Sequence, residues 1–417
     1  DTVARKEKRT EGNVTAMKNI ERKQWMKGMF FVFFLLACFQ NVQLVSISEY
    51  AALKPIHLFS LLFFPLLFRK KEVKINRILL VYIAYLVVVS LANLQKFGPH
   101  SLLLNYLFGL YIVVLCVNCG EVLSQDDWLD IICGAASILM IAVLVKDVIR
   151  YEDFVWYFEN PDKGHPYVWT FVGGGVNLES TWLGLFAFFF YKSRWKWLYA
   201  GANLMLSFLY GSRAGMLIAA AAILWLLLPQ FKRLKERKVR ITVLVLCAAL
   251  VAALWGSGLL ESLILRSLNR FLHGMEDAGN AGRIRMWTYA LETSKAYPFG
   301  CGVGNCMKAL SRVAGLTYGE DNIHNVYLQN LIDCGWLGGA AYLALVVRFF
   351  WMEKKKLLHD PFVAALFTYC GISLLQFRGG DTLAFLLLGM YLAYRDADNK
   401  KENWVVKNPL GKVKETM

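Results

Sequence analysis

Apolar runs too long for a water-soluble core, joined by short loops, govern what this chain can fold into. The stretches 78–92, 134–145 and 214–228 hold no charged residue. Such segments leave no polar face for water. They are stable only when packed inside protein or exposed to lipid, where every backbone amide must be satisfied within its own helix. Apolar residues make up 57% of the 417-residue chain and charged residues 18%, a balance that excludes an ordinary soluble domain and a disordered tail. The expected fold class is all-α, a polytopic helical membrane protein.

Crossing the hydrocarbon takes about 17 to 25 apolar residues in a helix. Twelve candidate spans follow, at 28–46, 51–68, 77–95, 101–118, 129–148, 176–191, 197–211, 214–229, 241–260, 325–350, 361–377 and 381–394. The seventh and eighth are separated only by Ser212 and Arg213, so a re-entrant pair is an alternative for them. Lysine and arginine gather in alternate short loops: Arg69, Lys70, Lys71, Lys74 and Arg77, then Lys192, Arg194 and Lys196, then 232–238 and Lys354–Lys356. Because cationic flanks stay cytoplasmic, these loops and both termini are expected inside. The loop Glu121–Asp127 carries no cation and is neutral in this argument. The formal charge of +15 is a consequence of this topology. The cations are scattered over short loops and form no single nucleic-acid-binding face.

The expected organisation is a cytoplasmic segment 1–27, spans one to nine over 28–260, an extracytoplasmic loop 261–324 carrying short helices, spans ten to twelve over 325–394, and a cytoplasmic tail 395–417. Residues 1–16 precede Met17 and read as an upstream or added segment, outside the fold argument; the first span reads as a retained anchor. Nine cysteines lie mostly within spans. Cys116 and Cys119 have redox-motif spacing yet close an apolar helix, where packing is the expected role. Cys301 and Cys306 share a loop and pair only if the compartment oxidises them. The six histidines lack the local pairings of zinc sites, Asp126-Asp127 lies on the cytoplasmic side, and no metal or other cofactor is expected.

The chemistry is expected where a polar cluster enters span ten, at Asp321-Asn322-Ile323-His324-Asn325-Val326-Tyr327-Leu328-Gln329. An ionisable histidine at the edge of a membrane helix must find partners or water, so it reads as functional. At helical spacing Asn325, Gln329 and Asp333 form one stripe leading inward from it. The bland alternative is a helix cap followed by a hydrogen-bonded seam between helices. Two long loops face the same side. The loop 150–175 carries Trp156, Tyr157, Tyr167 and Trp169, suited to an interfacial belt or to stacking on sugars. In the loop 261–323, Arg283–Leu291 has the pattern of an amphipathic helix carrying Arg283 and Arg285, followed by a glycine-rich flexible turn, Pro298–Asn305. That turn lacks the Lys-Ser/Thr and strand–helix context of a phosphate loop. Arg213, in Tyr210-Gly211-Ser212-Arg213, sits between two spans; its planar guanidinium can bind phosphate oxygens in pairs, or can simply snorkel to the interface. Arg378, beside Asp381, and Glu179, at the outer end of span six, are supporting candidates; pairing of Glu179 with an arginine would explain it.

Taken together, Ser212-Arg213-Ala214-Gly215, Gly282-Arg283 with Trp287, Pro298–Asn305, and His324-Asn325-Val326-Tyr327-Leu328-Gln329 with Gly335 resemble the O-antigen ligase and O-antigen polymerase superfamily of bacterial envelopes over roughly residues 205–340. Asp333 stands where members often carry glutamate. The resemblance implies a metal-independent glycosyltransferase of the cytoplasmic (inner) membrane acting at its outer face. The donor would be a glycan on undecaprenyl diphosphate, the acceptor a sugar hydroxyl on another glycan, lipid-linked for a polymerase and lipid A core or another terminal acceptor for a ligase. Arg213 with Arg283, Arg285 or both would clamp the diphosphate, because fixed cations neutralise charge developing on the leaving group. His324 would deprotonate or orient the acceptor hydroxyl, a task suited to a side chain whose unperturbed pKa is about 6.5. The competing class is a transporter or flippase of lipid-linked sugar, which would show internal repeats and broken helices at mid-membrane; the polar residues here gather on one face instead.

Overall fold

The computed structural model describes residues 2–48, 51–160, 168–231, 278–317, 322–377, 379–395 and 403–407. Span nine at 241–260, the basic run 232–238, Tyr167, Asp321 and Arg378 lie outside the described residues.

The architecture is mostly helical. A long α1 (Thr2–Cys38) leads to a short hairpin, β1 (Val45–Ser48) with β2 (Ala51–Leu53), then to α2 (Pro55–Ser60), which runs through a tight turn into α3 (Phe64–Phe68). Strand β3 (Glu72–Asn76) precedes α4 (Arg77–Ala92), α5 (Leu94–Phe97), α6 (Ser101–Cys119), α7 (Gln125–Ile149) and α8 (Tyr151–Glu159). Next come α9 (Gly175–Ala187), α10 (Lys196–Leu209), α11 (Arg213–Phe231), α12 (Ala278–Ala296) and α13 (Cys306–Ala314). The chain closes with α14 (Val326–Asp333), α15 (Gly335–Glu353), α16 (Pro361–Ile372), α17 (Thr382–Arg395) and β4 (Asn403–Lys407).

Among the described residues, the helical segments Ser101–Val122, Gln125–Ile149 and Gly335–Glu353 are long and apolar enough to cross a membrane. Pro55–Phe68, Arg77–Ala92, Arg213–Leu228, Pro361–Ile372 and Thr382–Arg395 are shorter apolar helices. Helix α6 lies along α17, α1 along α7, and α9 against both α10 and α11, so α10 and α11 form a packed helical hairpin around Tyr210-Gly211-Ser212. Aromatic side chains fill the centre. Trp128 meets Phe30 edge-on at 4.8 Å, and Trp182 stacks on Tyr369 at 5.6 Å, geometries that ring quadrupoles favour.

Three expectations are corrected. The all-helical class misses two short antiparallel ladders, β1 with β2 and β3 with β4. In the second, Glu72 to Asn76 pair with Lys407 to Asn403, so part of the expected tail returns to the loop after α3. That loop is held in extended form by Asn118, whose side-chain amide exchanges two hydrogen bonds of 2.8 Å with the Lys74 backbone. Span ten is not one helix: Cys334 ends α14, and α15 starts afresh at Gly335, which has φ of +71°. Span two begins inside a hairpin and is helical only from Pro55.

One end of the bundle collects ion pairs. Lys192 bonds Asp126 at 2.5 Å, Lys23 bonds Asp127 at 2.7 Å, Lys27 bonds Asp130 at 2.6 Å, and Lys70 bonds Glu121. The acidic loop Glu121–Asp127 thus supplies counterions to the basic loops around it, which is why it carries no cation of its own. Donation of a hydrogen bond to the Asp126 carboxylate holds the Lys192 pKa above its ordinary value. At the same end Arg395 meets the buried Glu353 at 2.9 Å.

Candidate functional site

The motif around His324 folds into a tight entry to α14. Asn325 is the N-cap: its side-chain oxygen accepts from the Tyr327 and Leu328 amides at 3.0 Å each, as a capping asparagine does. Just before it, His324 adopts φ of +54°, and no other non-glycine residue among the described ones has a positive φ. This left-handed conformation costs about 1 to 3 kcal/mol for a residue with a Cβ and persists only where neighbours over-determine it. Here three do. The His324 amide donates to the Asn322 side chain at 2.8 Å, the Trp287 indole donates to the Ile323 carbonyl at 2.9 Å, and the Val326 amide donates to the Ser373 carbonyl at 2.9 Å. The imidazole is half-buried, while Asn322, Ile323, Asn325 and Val326 around it are buried.

Trp287 belongs to α12, so the helix carrying the two candidate arginines is tied directly to the residue next to His324. Arg283 is one turn before Trp287 and shares its face with Met286 and Ala290, which are buried in a cluster with Met307 and Leu310 of α13, Ile323, and Ile332 of α14. Arg283 is half-buried. Arg285 is two positions from Trp287, on the opposite side of the helix, and is exposed. The structure therefore separates two arginines that sequence spacing left equivalent. Trp287→Phe is expected to lower turnover roughly threefold to tenfold through loss of one hydrogen bond, with the unfolding midpoint little changed; kcat beside a thermal melt checks it.

Asn325, Gln329 and Asp333 take the form of the alternative reading, a helix cap followed by a hydrogen-bonded seam: all three are buried and engaged in internal bonds. Asp333 accepts from the Gly304 amide at 2.8 Å, from the Cys306 amide and from Gln329, and so fastens the turn 298–305 and the start of α13 to the end of α14. The backbones themselves interlock, with Cys301 N–H on the Ile332 carbonyl, Gly302 N–H on the Asp333 carbonyl and Trp336 N–H on the Pro298 carbonyl. The turn is a clamp, not the flexible segment expected. A Cβ on Gly335 would lie 2.4 Å from the Pro298 carbonyl oxygen, and the residue also needs its positive φ. Gly335→Ala is expected to cost at least about 1 to 3 kcal/mol, read as a lowered unfolding midpoint in detergent. Cys301 and Cys306 are buried thiols not joined in a disulfide, and the Cys301 sulfur lies 3.8 Å from the Asp333 carboxylate.

Arg213 opens α11 and is half-buried, at the same end of the bundle as the Phe171 loop and remote from the ion-paired end. The turn that delivers it is anchored by Tyr210, whose hydroxyl donates to Asp147 at 2.6 Å. Beside Asp147, Lys146 bonds Glu179 at 2.6 Å, and Glu179 accepts the Phe171 amide at 2.6 Å. Glu179 thus pairs with a lysine of α7 and not with an arginine, because α7 packs alongside α9. Lys146 and Asp147 are additions to the candidates read from the sequence; the adjacent opposite charges closing the apolar run 134–145 are the available signal. Of the aromatic loop, Trp156 and Trp169 are exposed and Tyr157 is buried. Asp381 accepts from the Tyr369 hydroxyl at 2.6 Å.

Residues 199–343 match the family model described as O-antigen ligase. No curated protein matches the chain. The matched stretch contains Arg213, Arg283, Arg285, His324, Asn325, Gln329 and Asp333, and it excludes Glu179 and Arg378.

Proposed function

We propose that this protein is a membrane polysaccharide polymerase, a reading supported by the match of residues 199–343 to the family model described as O-antigen ligase, which implies membrane glycan transfer on lipid-linked glycans. It joins glycans carried on undecaprenyl diphosphate at the outer face of the cytoplasmic membrane. The observation that carries the reading is the left-handed His324, held by Trp287 of the same helix that presents Arg283 one turn away. Strain maintained at a half-buried imidazole beside an arginine-bearing helix is the arrangement expected of a preorganised base next to an anion clamp.

In this mechanism His324 takes the proton of an acceptor sugar hydroxyl as its oxygen attacks the anomeric carbon of the donor. The bond from that carbon to the diphosphate oxygen breaks. The polyprenyl diphosphate leaves with the bonding electrons, and Arg213 and Arg283 neutralise the charge that accumulates on it. Arg285 is at most peripheral to this clamp, and Asn325, Gln329, Asp333 and Glu179 position the groups that react. No step needs a metal or other cofactor.

The description of the matching family favours a second reading, ligation of the finished glycan to lipid A core or another terminal acceptor. Purified protein is to be given lipid-diphosphate glycan with and without lipid A core. A ladder of products from the glycan alone supports polymerisation, a single capped adduct that requires the core supports ligation, and no transfer with either overturns both.

A further inference from the structure

The helices α4, α6, α15, α16 and α17 line an apolar groove of about 240 Å³. Tyr82 of α4, Tyr342, Leu345 and Phe349 of α15, and Ala384 and Leu388 of α17 supply much of its wall. Beside α17 it runs from Asp381 to Arg395, about 21 Å at 1.5 Å per helical residue. One leaflet of a hydrocarbon core about 30 Å thick is about 15 Å deep, so an acyl chain rooted at either mouth is enclosed along its length. Access is lateral: Ile78 and Met352 line the groove and are exposed, on helices apolar enough to face lipid.

The two mouths differ in charge. At one, the charged lining residue among the described ones is Asp381, a carboxylate that accepts from the Tyr369 hydroxyl at 2.6 Å and repels an anion. At the other, Arg348, Arg395 and Glu353 line the groove. Arg395 meets the buried Glu353 at 2.9 Å and Lys356 meets it at 3.2 Å, so that carboxylate is neutralised from two sides. Arg348 adds a further cation on α15, about 7.5 Å of helix before Glu353, and is exposed at the lip. A guanidinium so placed keeps its stem on the apolar wall while its planar head reaches the interface, where it can pair with phosphate oxygens. A zwitterionic head group would bring its own ammonium against these cations, so a net negative one is favoured.

We propose that the groove is a site for an anionic diacyl phospholipid, with one acyl chain lying along α17 and the head-group phosphate held by Arg348. On the expected inside placement of the basic loops the lipid belongs to the cytoplasmic leaflet, where basic pockets between membrane helices recognise anionic head groups. The bound chain braces α4 against α15 and α17. Tyr82 in that wall donates to Asn330 at 2.8 Å, so the brace extends to α14. The site goes beyond the glycan-transfer reading and does not depend on it.

The test uses the full-length protein in detergent, read by native mass spectrometry with defined lipids and no glycan. Phosphatidylglycerol is expected to bind saturably, and about fivefold more tightly than phosphatidylcholine of the same acyl chains. Arg348→Ala is expected to remove that fivefold preference, which corresponds to about 1 kcal/mol for one cation near an anionic surface. Arg194→Ala, at an exposed arginine of another basic loop at the same end, is expected to leave it intact. Leu345→Trp or, should that variant not fold, Ala384→Trp is expected to abolish saturable binding of both lipids. A diazirine on the acyl chain of phosphatidylglycerol is expected to label α15 and α17. Equal wild-type affinity for the two lipids, an equal loss in Arg194→Ala, unchanged binding in the tryptophan variants, or label confined to other helices overturns the proposal. So does displacement of phosphatidylglycerol by polyprenyl phosphate at equal concentration, which would assign the groove to a carrier lipid. Protein that binds phosphatidylglycerol in this way yet transfers no glycan keeps the site and refutes the polymerase reading alone.

Discussion

Removing the imidazole of His324 is expected to lower turnover by about 10²- to 10⁴-fold, the usual worth of a positioned general base. Two variants separate chemistry from folding. His324→Ala keeps a Cβ on a left-handed backbone and so retains the strain, whereas His324→Gly adopts φ of +54° without steric cost. His324→Gly is therefore expected to melt no lower than wild type while being as inactive as His324→Ala. Both should bind lipid-diphosphate glycan with nearly the wild-type Kd, because in the proposed mechanism the arginines hold the donor. Single-turnover transfer beside a direct donor-binding measurement decides the matter; full turnover in the glycine variant would end the role of His324 as base.

Substituting Arg213 by alanine is expected to reduce kcat/KM by about 10²- to 10³-fold, the cost of deleting one fixed donor aimed at developing charge. Unlike the His324 variants, it should also weaken donor binding, since the ground-state diphosphate is already anionic. Arg213→Lys should recover only part of the loss: an ammonium keeps the charge but cannot offer two parallel N–H bonds to phosphate oxygens. Arg285→Ala provides the contrast. That side chain is exposed on the side of α12 away from Trp287, and its removal is expected to change kcat/KM by less than about threefold. Equal losses in Arg213→Ala and Arg285→Ala, or a fully active Arg213→Lys, would sink the clamp as drawn.

Legibility in the sequence followed the range of the physics involved. Most apolar helices could be read from composition and loop spacing, because a run such as Arg77–Ala92 or Gln125–Ile149 is specified by its own residues and by the need to satisfy its own backbone. The cap at Asn325 and the helix bearing Arg283 were likewise visible, since both depend on residues within one or two turns. What misled was the apolar continuity across Cys334 and Gly335. The break there is imposed by the turn 298–305, whose backbone bonds reach across from another part of the chain. The stripe of Asn325, Gln329 and Asp333 was legible in its spacing and not in its partners: periodicity places side chains on one face but cannot say that amides from Gly304 and Cys306 meet Asp333 there.

The sequence by itself determined that this is a helical chain built for lipid, with cationic loops and a histidine-containing polar cluster beside a span. The tertiary structure alone decided which partner each buried polar group received: Lys146 for Glu179, Trp287 for the carbonyl beside His324, the 298–305 turn for Asp333. It also distinguished Arg283 from Arg285 and opened the groove beside α17. Hydrophobicity and helical periodicity are local and additive along the chain. A hydrogen bond or ion pair in a low-dielectric interior depends on ångström-scale approach between distant segments, and only the packed fold sets that approach.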